Sequence, residues 1–250
     1  MANRMDWTIR VLQEHKQAYT AHFLTLTYED DHLPYSNEGE PELDKTHLQK
    51  FFKRLRKENA KHAPKWQIRY FAIGEYGETF ERPHYHAIMF NVHNNSIEKL
   101  AKIWPCGFHQ LGTVGLASIH YVTGYIINRY ADYGSRSKPF ALHSRKPGLG
   151  NCYLETHAKW HKPSDKELHW RNFTKVNGIT NRLPRYYRDR IFNKEELQWL
   201  NTHAAGIFDQ ELAKEIERIS KTTRGDPHEA FKERVQAMHD KIKVKKNKSL

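Results

Sequence analysis

Alternation of apolar and polar residues predicts several short strands along the chain. Residues 22–28, HFLTLTY, alternate large apolar side chains with threonine, which is typical of a half-buried strand. Residues 66–73 and 84–92 predict two further strands, and residues 74–83 between them contain two glycines and predict a turn. These two strands therefore form a predicted hairpin, and residues 107–114 predict a fourth strand.

Helical spacing of apolar residues follows the first strand. Asp44 is the predicted N-cap of a helix that runs to about His62. Lys53 and Arg54 belong to a basic set outside its apolar face, and this set either faces solvent or contacts DNA. The apolar face itself consists of Leu48, Phe51, Phe52 and Leu55.

Two more helices complete the predicted order β-α-β-β-α-β-α. A short one begins at Ser96 and ends at Trp104 before Pro105, and a longer one covers residues 117–130. The simplest arrangement of these elements is one antiparallel sheet with helices packed on it. We therefore predict an α+β fold with a central antiparallel sheet.

The composition changes after Tyr133, where Gly, Ser, Arg and Pro become frequent. We place a domain boundary near residue 150, so that residues 1–150 form the main domain. Residues 151–240 are a predicted basic, aromatic and mainly helical extension, with helices at about residues 194–202 and 209–220. Residues 241–250 are rich in lysine and predicted to be disordered.

Charge and cysteine content narrow the possible partners and compartments. The formal net charge of +12 favours a polyanionic partner such as nucleic acid, because neutralised phosphates release counterions. Cys106 and Cys152 are too few for a disulfide framework or a four-thiolate zinc site. No apolar run approaches the roughly 18 residues that a membrane helix needs, and no signal-peptide core is present. We expect a protein that stays in the cytoplasm and has no membrane partner.

A His-x-His pair lies in the third predicted strand, within RPHYHAIMF, residues 82–90. Side chains alternate across a strand, so His84 and His86 point to the same face and Tyr85 points to the other. Two imidazoles at this spacing can hold one metal ion, although the same pattern also occurs on ordinary exposed strands.

A carboxylate is the expected third ligand. If the hairpin pairs in register, Glu75 comes near His84, while Glu78 and Glu81 in the turn are rival candidates. Two histidines and a carboxylate leave coordination positions open for water and a substrate oxygen. Mg²⁺ or Mn²⁺ is the cation expected for work on phosphate.

The helix over residues 117–130 contains YVTGYIINRY. Tyr121 and Tyr125 lie four residues apart, about 40° apart around a helix axis, and Arg129 continues the same stripe. Tyr130 falls outside it. The alternative is that both tyrosines pack a core face. Gly124 costs about 1 kcal/mol against Ala in a helix and therefore suggests a close approach by another group.

Two basic segments remain. In SRKPGLG, residues 144–150, Arg145 and Lys146 with the glycine N–H groups could bind a phosphate, or the segment is a plain basic loop. His157 and His161 have zinc-helix spacing, but no Glu follows His157 as a zinc-protease motif requires. We place these two histidines at the surface, at most in contact with nucleic acid.

Taken together and in this order, the motifs resemble the HUH family of rolling-circle replication initiators. The greatest likeness is to the replication initiators of microviruses of the gokushovirus type, over about the first 150 residues. The matching stretches are FLTLTYEDDHLP (23–34), HLQKFFKRLRK (47–57), YFAIGEYG (70–77), RPHYHAIMF (82–90), YVTGYIINRY (121–130) and SRKPGLG (144–150).

The resemblance implies a ferredoxin-like, RRM-like HUH endonuclease fold and a role for each motif. His84 and His86 would be metal ligands, Glu75 the acidic ligand, and Tyr121 and Tyr125 the paired nucleophiles. The family usually has basic residues between the tyrosines and just after them, whereas this chain has Gly124 and Asn128, with Arg129 next. Arginine is effectively never deprotonated, so Arg129 would clamp a phosphate.

The implied activity is metal-dependent nicking and rejoining of single-stranded origin DNA of a phage, in the host cytoplasm. Attack by tyrosine would leave a 5′-phosphotyrosine link and a 3′-OH for host polymerase, with a host helicase as a further partner. Arg82, Lys53, Arg54, Arg145 and Lys146 are predicted DNA contacts. Tyr76 and Trp104 could stack bases.

Three rival interpretations follow from the same residues. A relaxase or transposase would share the chemistry, but relaxases usually carry a third histidine in the metal motif, and single-strand transposases are shorter, with one tyrosine. A non-enzymatic binding protein would hold DNA without a covalent adduct. A structural zinc domain would contain stoichiometric zinc.

Overall fold

The computed structural model describes residues 2–77, 79–124, 133–163, 170–222, 226–234 and 236–237. The chain divides into two compact units, Met1–Ile191 and Phe192–Leu250. The functional boundary near residue 150 stays a prediction. The Lys-rich tail, residues 241–250, lies outside the described residues.

The first unit is built on a five-stranded antiparallel sheet with the strand order β4-β1-β3-β2-β5. The predicted α+β class with a central antiparallel sheet is therefore confirmed. Its strands are β1 (Ala21–Thr27), β2 (Arg69–Tyr76), β3 (Pro83–Phe90), β4 (His109–Gly112) and β5 (Phe140–His143). A separate two-stranded sheet pairs β6 (Phe173–Val176) with β7 (Ile179–Arg182).

Helices make up most of the remaining regular structure. None of them, in the part of the chain that is described, is both long and apolar enough to cross a membrane. The first unit contains α1 (Ala2–Gln17), α2 (Lys45–His62), α3 (Asn94–Ile97), α4 (Leu100–Ile103), α5 (Leu116–Gly124), α6 (Cys152–His157) and α7 (Arg185–Ile191). The second unit contains α8 (Lys194–Ser220).

The two faces of the five-stranded sheet carry separate apolar cores. On one face, the predicted apolar stripe of α2 packs against strand residues that include Tyr85, Ala87 and Met89. On the other face, Ile73, Ile88 and Phe90 pack with residues from α1 and α5. The result is a layer of helices on each side of one sheet, which buries both faces.

Helix α2 forms as its sequence predicts. The Asp44 carboxylate accepts hydrogen bonds from the backbone N–H groups of Thr46 and His47, which leaves fewer unpaired donors at the first turn. All four residues of its predicted apolar face are fully buried. The sequence thus contains both the start signal and the packing face of this helix.

Helix α1 is absent from the sequence-based prediction. Its buried face carries polar side chains, and Thr8, Arg10 and Gln13 are among its buried residues. Hydrophobic spacing alone does not reveal a helix whose packing face is polar. Strand β5 and the β6–β7 hairpin are also absent from that prediction, because strands of four residues leave little periodic signal.

Two other details differ from expectation. Ser96 is not a cap: His93 caps α3 by accepting a hydrogen bond from Asn95 N–H, and the predicted single helix is divided into α3 and α4. The two helices predicted after residue 193 form one helix, α8, which begins with an Asn193–Glu196 capping box. A single internal glycine, costing about 1 kcal/mol, is too weak a break to separate them.

Gly107 allows the chain to cross closely over the end of β1. Its φ is +150°, and a Cβ there would lie 2.4 Å from Glu29 N and 2.6 Å from Thr27 O. Gly39 also has a positive φ of +79°, but a Cβ there would meet nothing within 4 Å. The two glycines therefore separate backbone strain from steric overlap.

We expect Gly107→Ala to lower the free energy of unfolding by at least about 3 kcal/mol, from strain plus overpacking. Gly39→Ala, the matched control, should cost only about 1–2 kcal/mol, from the left-handed backbone alone. Urea unfolding of both variants measures the difference. Equal losses would contradict the close crossing at Gly107.

Candidate functional site

The character of the sheet face changes from apolar to polar toward one end of the β2–β3 hairpin. On β3, buried Phe90 and Ile88 are followed on the same face by His86 and His84. On β2, Glu75 pairs directly with His84, and Ile73 pairs with His86. The predicted hairpin register is thus confirmed, and it brings the carboxylate beside the two imidazoles.

Tyr121 of α5 reaches this polar end of the face. Its hydroxyl donates a hydrogen bond to Glu75 Oε1 at 3.1 Å and lies 3.4 Å from His86 Nε2. The Glu75 Oε1 and His86 Nε2 atoms are themselves 3.0 Å apart. Tyr121 is 41% exposed, so its hydroxyl oxygen is placed on the site while its side chain stays open to solvent.

The backbone of the hairpin turn holds His84 in one orientation. Its Nδ1 lies 2.6 Å from the carbonyl oxygen of Arg82. A carbonyl only accepts, so Nδ1 carries the proton and the Nε2 lone pair stays available. Gly77 leaves room for this ring, because a Cβ at that position would lie 2.9 Å from His84 Cε1.

His86 is held by the neighbouring strand β1. Its Nδ1 lies 3.0 Å from Thr25 Oγ1, which is its register partner, and its ring stacks on Phe23 at a centroid distance of 5.8 Å. These contacts fix the imidazole plane and turn Nε2 toward Glu75 and Tyr121. Support of this kind is typical of functional histidines.

One atom of the site has no partner. Glu75 Oε2 is buried without a hydrogen bond, and the residue is 7% exposed. A buried carboxylate oxygen without a donor is costly, which favours a cation at this place. Two imidazole nitrogens and a carboxylate are suitable ligands for a divalent metal with open positions.

The arrangement as placed is not a closed metal cage. Within the described residues, no three His, Cys, Asp or Glu side chains come close enough together to hold a metal ion. Glu75 and His86 are adjacent, whereas the rings of His84 and His86 lie parallel with centroids 6.5 Å apart. The donor types fit a metal, and the metal site stays a prediction.

Two tyrosines on the opposite face of the sheet are unsuitable as nucleophiles. Tyr85 and Tyr28 are buried and share a hydrogen bond of 2.8 Å between their hydroxyls. Burial raises the pKa of both hydroxyls above the ordinary tyrosine value. The Tyr85 hydroxyl also contacts the backbone of Asp44 at 2.9 Å, so this pair secures the start of α2.

The other predicted members of the site have different outcomes. Glu81 is exposed and forms an ion pair with Arg136 at 2.7 Å, which leaves Glu75 as the carboxylate at the histidines. Tyr125, Arg129 and the rival ligand Glu78 lie outside the described residues. Their predicted roles stay predictions.

The structure does not bring the predicted DNA-contact residues together. Arg82 bonds Asp30 and the carbonyl of Tyr28, while its own carbonyl holds His84. Lys53 and Arg54 belong to α2, which packs on the sheet face opposite the histidines. Lys53 is exposed, whereas Arg54 Nε donates to the carbonyl of Ile103 at 2.7 Å.

Arg145 and Lys146 are exposed in the turn after β5. The glycines of this turn serve packing: a Cβ on Gly148 would overlap Tyr186, and one on Gly150 would overlap Tyr187. The Gly150 N–H donates to Glu14, so it is already paired within the chain. Contact between the two basic side chains and DNA stays a prediction.

Two expectations about aromatic residues and histidines were wrong. Trp104 is fully buried and donates its indole N–H to the carbonyl of Thr27, so it cannot stack a base. His161 is fully buried between Tyr153 and the carbonyl of Arg171, and burial lowers its pKa. It is therefore neither at the surface nor in contact with nucleic acid.

Sequence reasoning missed the groups that support the site. Thr25 and Phe23 lie in the alternating strand β1, but only the pairing of β1 with β3 shows that they face His86. Helix α1 supports Tyr121's helix, because Thr8 and Thr123 share a buried hydrogen bond of 2.9 Å and Arg4 donates to the carbonyl of His120. The guanidinium of Arg4 also lies against Gly124, which accounts for that glycine.

Comparison with known proteins assigns residues 21–129 to a described family. They match the family of the replication-associated protein ORF2. This segment contains β1 to α5, and with them Glu75, His84, His86 and Tyr121. Helix α1 and everything after residue 129 lie outside the match.

Three relatives are replication-associated proteins of phages. ORF2 of Spiroplasma virus 4 is 34% identical over 141 residues, which is 49% of this chain and 43% of that protein. VP4 of Bdellovibrio phage phiMH2K is 28% identical over 73% of this chain and 61% of its own length. ORF4 of Chlamydia phage 1 is 24% identical over 74% of this chain and 49% of its own length. The alignments thus span about half of the relatives, and the resemblance stated from the motifs is confirmed.

The His84 contact generates a direct test. We expect long-range ¹H–¹⁵N correlation spectra of the folded protein to show His84 as the Nδ1–H tautomer, since its partner is a carbonyl. Gly77→Ala should disturb that signal, because the added methyl would displace the ring. Gly115→Ala, where a Cβ would meet nothing within 4 Å, should leave it unchanged. An Nε2–H tautomer in the unmodified protein would contradict the assigned geometry.

Proposed function

We propose, from the premise that residues 21–129 belong to the family of the replication-associated protein ORF2, that the protein initiates replication of a small single-stranded DNA phage genome. It would nick the origin in single-stranded form, remain attached to the 5′ end and release a 3′-OH. The same site would later rejoin the strand. This is the HUH-type activity that the sequence motifs imply.

A single observation supports the proposal most strongly. Residues 46 and 35 positions away from Tyr121 meet its hydroxyl: Glu75 Oε1 at 3.1 Å and His86 Nε2 at 3.4 Å. A tyrosine packed only for stability would bury its ring, whereas this one is 41% exposed. A solvent-accessible phenol held at a carboxylate and an imidazole is suited to nucleophilic attack.

The proposed step is a transesterification at phosphorus. The Tyr121 oxygen forms a bond to phosphorus and loses its proton, while the bond between phosphorus and the 3′ oxygen breaks. The departing 3′ oxygen takes up a proton and becomes a 3′-OH. One phosphoester replaces another, so the reverse reaction rejoins the strand without an energy source. Tyr125, one helical turn away by sequence, would perform the second attack.

Residues Glu75, His84 and His86 would hold the metal. A bound Mg²⁺ or Mn²⁺ would offset negative charge on the scissile phosphate and favour the phenolate form of the tyrosine. Thr25 and the Arg82 carbonyl orient the two imidazoles, and Arg129 would clamp a phosphate. Phe23 covers the ring of His86 and excludes water from one side of the site.

Partners and compartment follow from this activity. The substrate would be single-stranded origin DNA, and the freed 3′-OH would serve host polymerase after unwinding by a host helicase. These events would take place in the cytoplasm of the host cell. The net charge of +12 supports a nucleic-acid substrate.

The decisive experiment is denaturing gel electrophoresis of the protein with end-labelled single-stranded oligonucleotides that tile the source genome. We expect a band, dependent on Mn²⁺, that is shifted by covalently bound protein and survives SDS and heat. Tyr121→Phe and Tyr125→Phe should each leave some nicking, and the double variant should leave none. Tyr19→Phe, an exposed tyrosine at the other end of β1, is the control and should be fully active.

Each negative result has its own meaning. Nicking by the double variant would exclude the two tyrosines as nucleophiles. Undiminished metal-dependent cleavage by His84→Ala/His86→Ala would exclude the metal site. Binding in a native gel without any covalent band, across all oligonucleotides and metals, would support a non-enzymatic binding protein instead.

The role of Thr25 can be measured without DNA. Thr25→Val removes the partner of His86 Nδ1 while keeping the side-chain shape, so we expect roughly 10- to 100-fold weaker Mn²⁺ binding by calorimetry. Thr27→Val is the matched control, since Thr27 lies on the same face of β1 opposite His84. Equal Mn²⁺ affinity of all three proteins would exclude Thr25 as a positioning residue.

A further inference from the structure

Four side chains of α1 and α7 form one stack, which we call the arginine–aromatic stack: Trp7, Arg10, Tyr186 and Arg190. The guanidinium carbon of Arg10 lies 4.2 Å from the Trp7 ring centroid and 4.0 Å from that of Tyr186. Arg190 lies 3.8 Å from the Tyr186 centroid. Planar cations and aromatic rings therefore alternate through the stack, at distances where the attraction is substantial.

Arg10 is fixed in the middle of this stack. It is only 8% exposed, and its Nε–H donates to the carbonyl of Leu149 at 3.0 Å. Among the described residues, this is its one hydrogen bond, so its two terminal amino groups retain donors. The guanidinium borders an open cleft of about 290 Å³, which is lined by Asp6, Trp7, Arg10, Arg185, Tyr186 and Asp189. A pre-oriented guanidinium with free donors is suited to a phosphate group.

The surroundings of the cleft are positively charged. Asp6 pairs with Arg182, and Asp189 pairs with Arg185 and Arg188. These two carboxylates offset only part of the charge of five arginines, since Arg10 and Arg190 lie in the stack itself. Arg185 has a side chain that is 79% exposed, and Arg190 is also exposed. The surface therefore favours an anion and presents flexible cations at its rim.

Helix α1 connects this surface to the tyrosine helix. One face of α1 contacts α5 through Arg4 and Thr8, and the adjoining face carries Trp7 and Arg10. At 1.5 Å per residue, these contacts lie within about 10 Å of each other along the helix. A strand bound at Tyr121's helix can therefore extend onto the cleft.

We propose that the arginine–aromatic stack is a second DNA-binding surface, which holds the phosphate backbone of DNA that flanks the cleaved linkage. Arg10 and Arg190 bind phosphates, the exposed Arg185 draws the strand in, and the half-exposed rings of Trp7 and Tyr186 accept a base or sugar. Both helices lie outside residues 21–129, so this surface is separate from the family segment. The inference rests on the proposed function only in that DNA is the substrate.

The test measures binding rather than cleavage. Fluorescence anisotropy would follow labelled oligothymidylates of increasing length as salt is raised, with the intact chain and with Arg185→Gln/Arg190→Gln. We expect the variant to bind long oligonucleotides on the order of tenfold more weakly at about 0.1 M salt. The slope of log affinity against log salt should become shallower by about 1.4, from two lost phosphate contacts on a single strand. Short oligonucleotides that fill only the tyrosine site should bind equally to both proteins.

Lys57→Gln/Lys102→Gln is the matched control. It removes the same charge from exposed positions on α2 and α4, which pack against the opposite face of the sheet. We expect it to reduce the affinity for long oligonucleotides much less. An equal loss in both double variants, or no change in affinity and slope for Arg185→Gln/Arg190→Gln, would overturn the proposal. Equal competition by polyglutamate would also overturn it, because the surface would then recognise acidic chains in general.

Arg10→Lys tests the stack itself. Lysine keeps the charge but lacks the planar fork, so we expect a loss of affinity for long oligonucleotides with thermal unfolding checked in parallel. Unchanged affinity in a folded Arg10→Lys protein would overturn the role of Arg10. A covalent adduct with an inert stack would remove this inference alone, whereas length-dependent binding through the stack without any adduct would remove the proposed nicking activity alone.

Discussion

Backbone register in the β2–β3 hairpin decides where every member of the candidate site lies. Antiparallel pairing sets Glu75 directly across from His84, and the pairing of β3 with β1 sets Thr25 across from His86. A slip of one residue would turn these side chains to the other face of the sheet. The apolar cores on the two faces resist such a slip, because it would exchange Ile88 and Phe90 with Tyr85 and Met89.

The same face of the sheet serves stability at one end and chemistry at the other. Where α1 and α5 cover it, Ile73, Ile88 and Phe90 are buried. Where the cover ends, the face becomes polar and Tyr121 enters from α5 to meet Glu75 and His86. The buried end holds the strands in place, so the polar end can keep an unsatisfied carboxylate oxygen at Glu75 without losing its geometry.

Helix α1 connects three parts of the molecule. Through Thr8 and Arg4 it holds α5, and through Glu14 it pairs with Arg69 of β2 at 2.8 Å. Through Arg10 it reaches the turn after β5 and Tyr186 of α7. These contacts are polar, directional and formed over long sequence separations, which explains why α1 has a fixed position despite its weak apolar face. The arrangement also explains why the proposed DNA surface and the tyrosine helix share one support.

By itself, the sequence determined the local features of the site. Two-residue alternation placed His84 and His86 on one face and Tyr85 on the other, and the hairpin turn brought Glu75 to His84. The cap and apolar stripe of α2 were equally legible. Only the tertiary structure decided which tyrosines are accessible, that Trp104 and His161 are buried, and that α1 packs through polar groups. The physical reason is that backbone periodicity dictates direction within a strand or helix, whereas burial and contact between distant segments depend on how the layers pack.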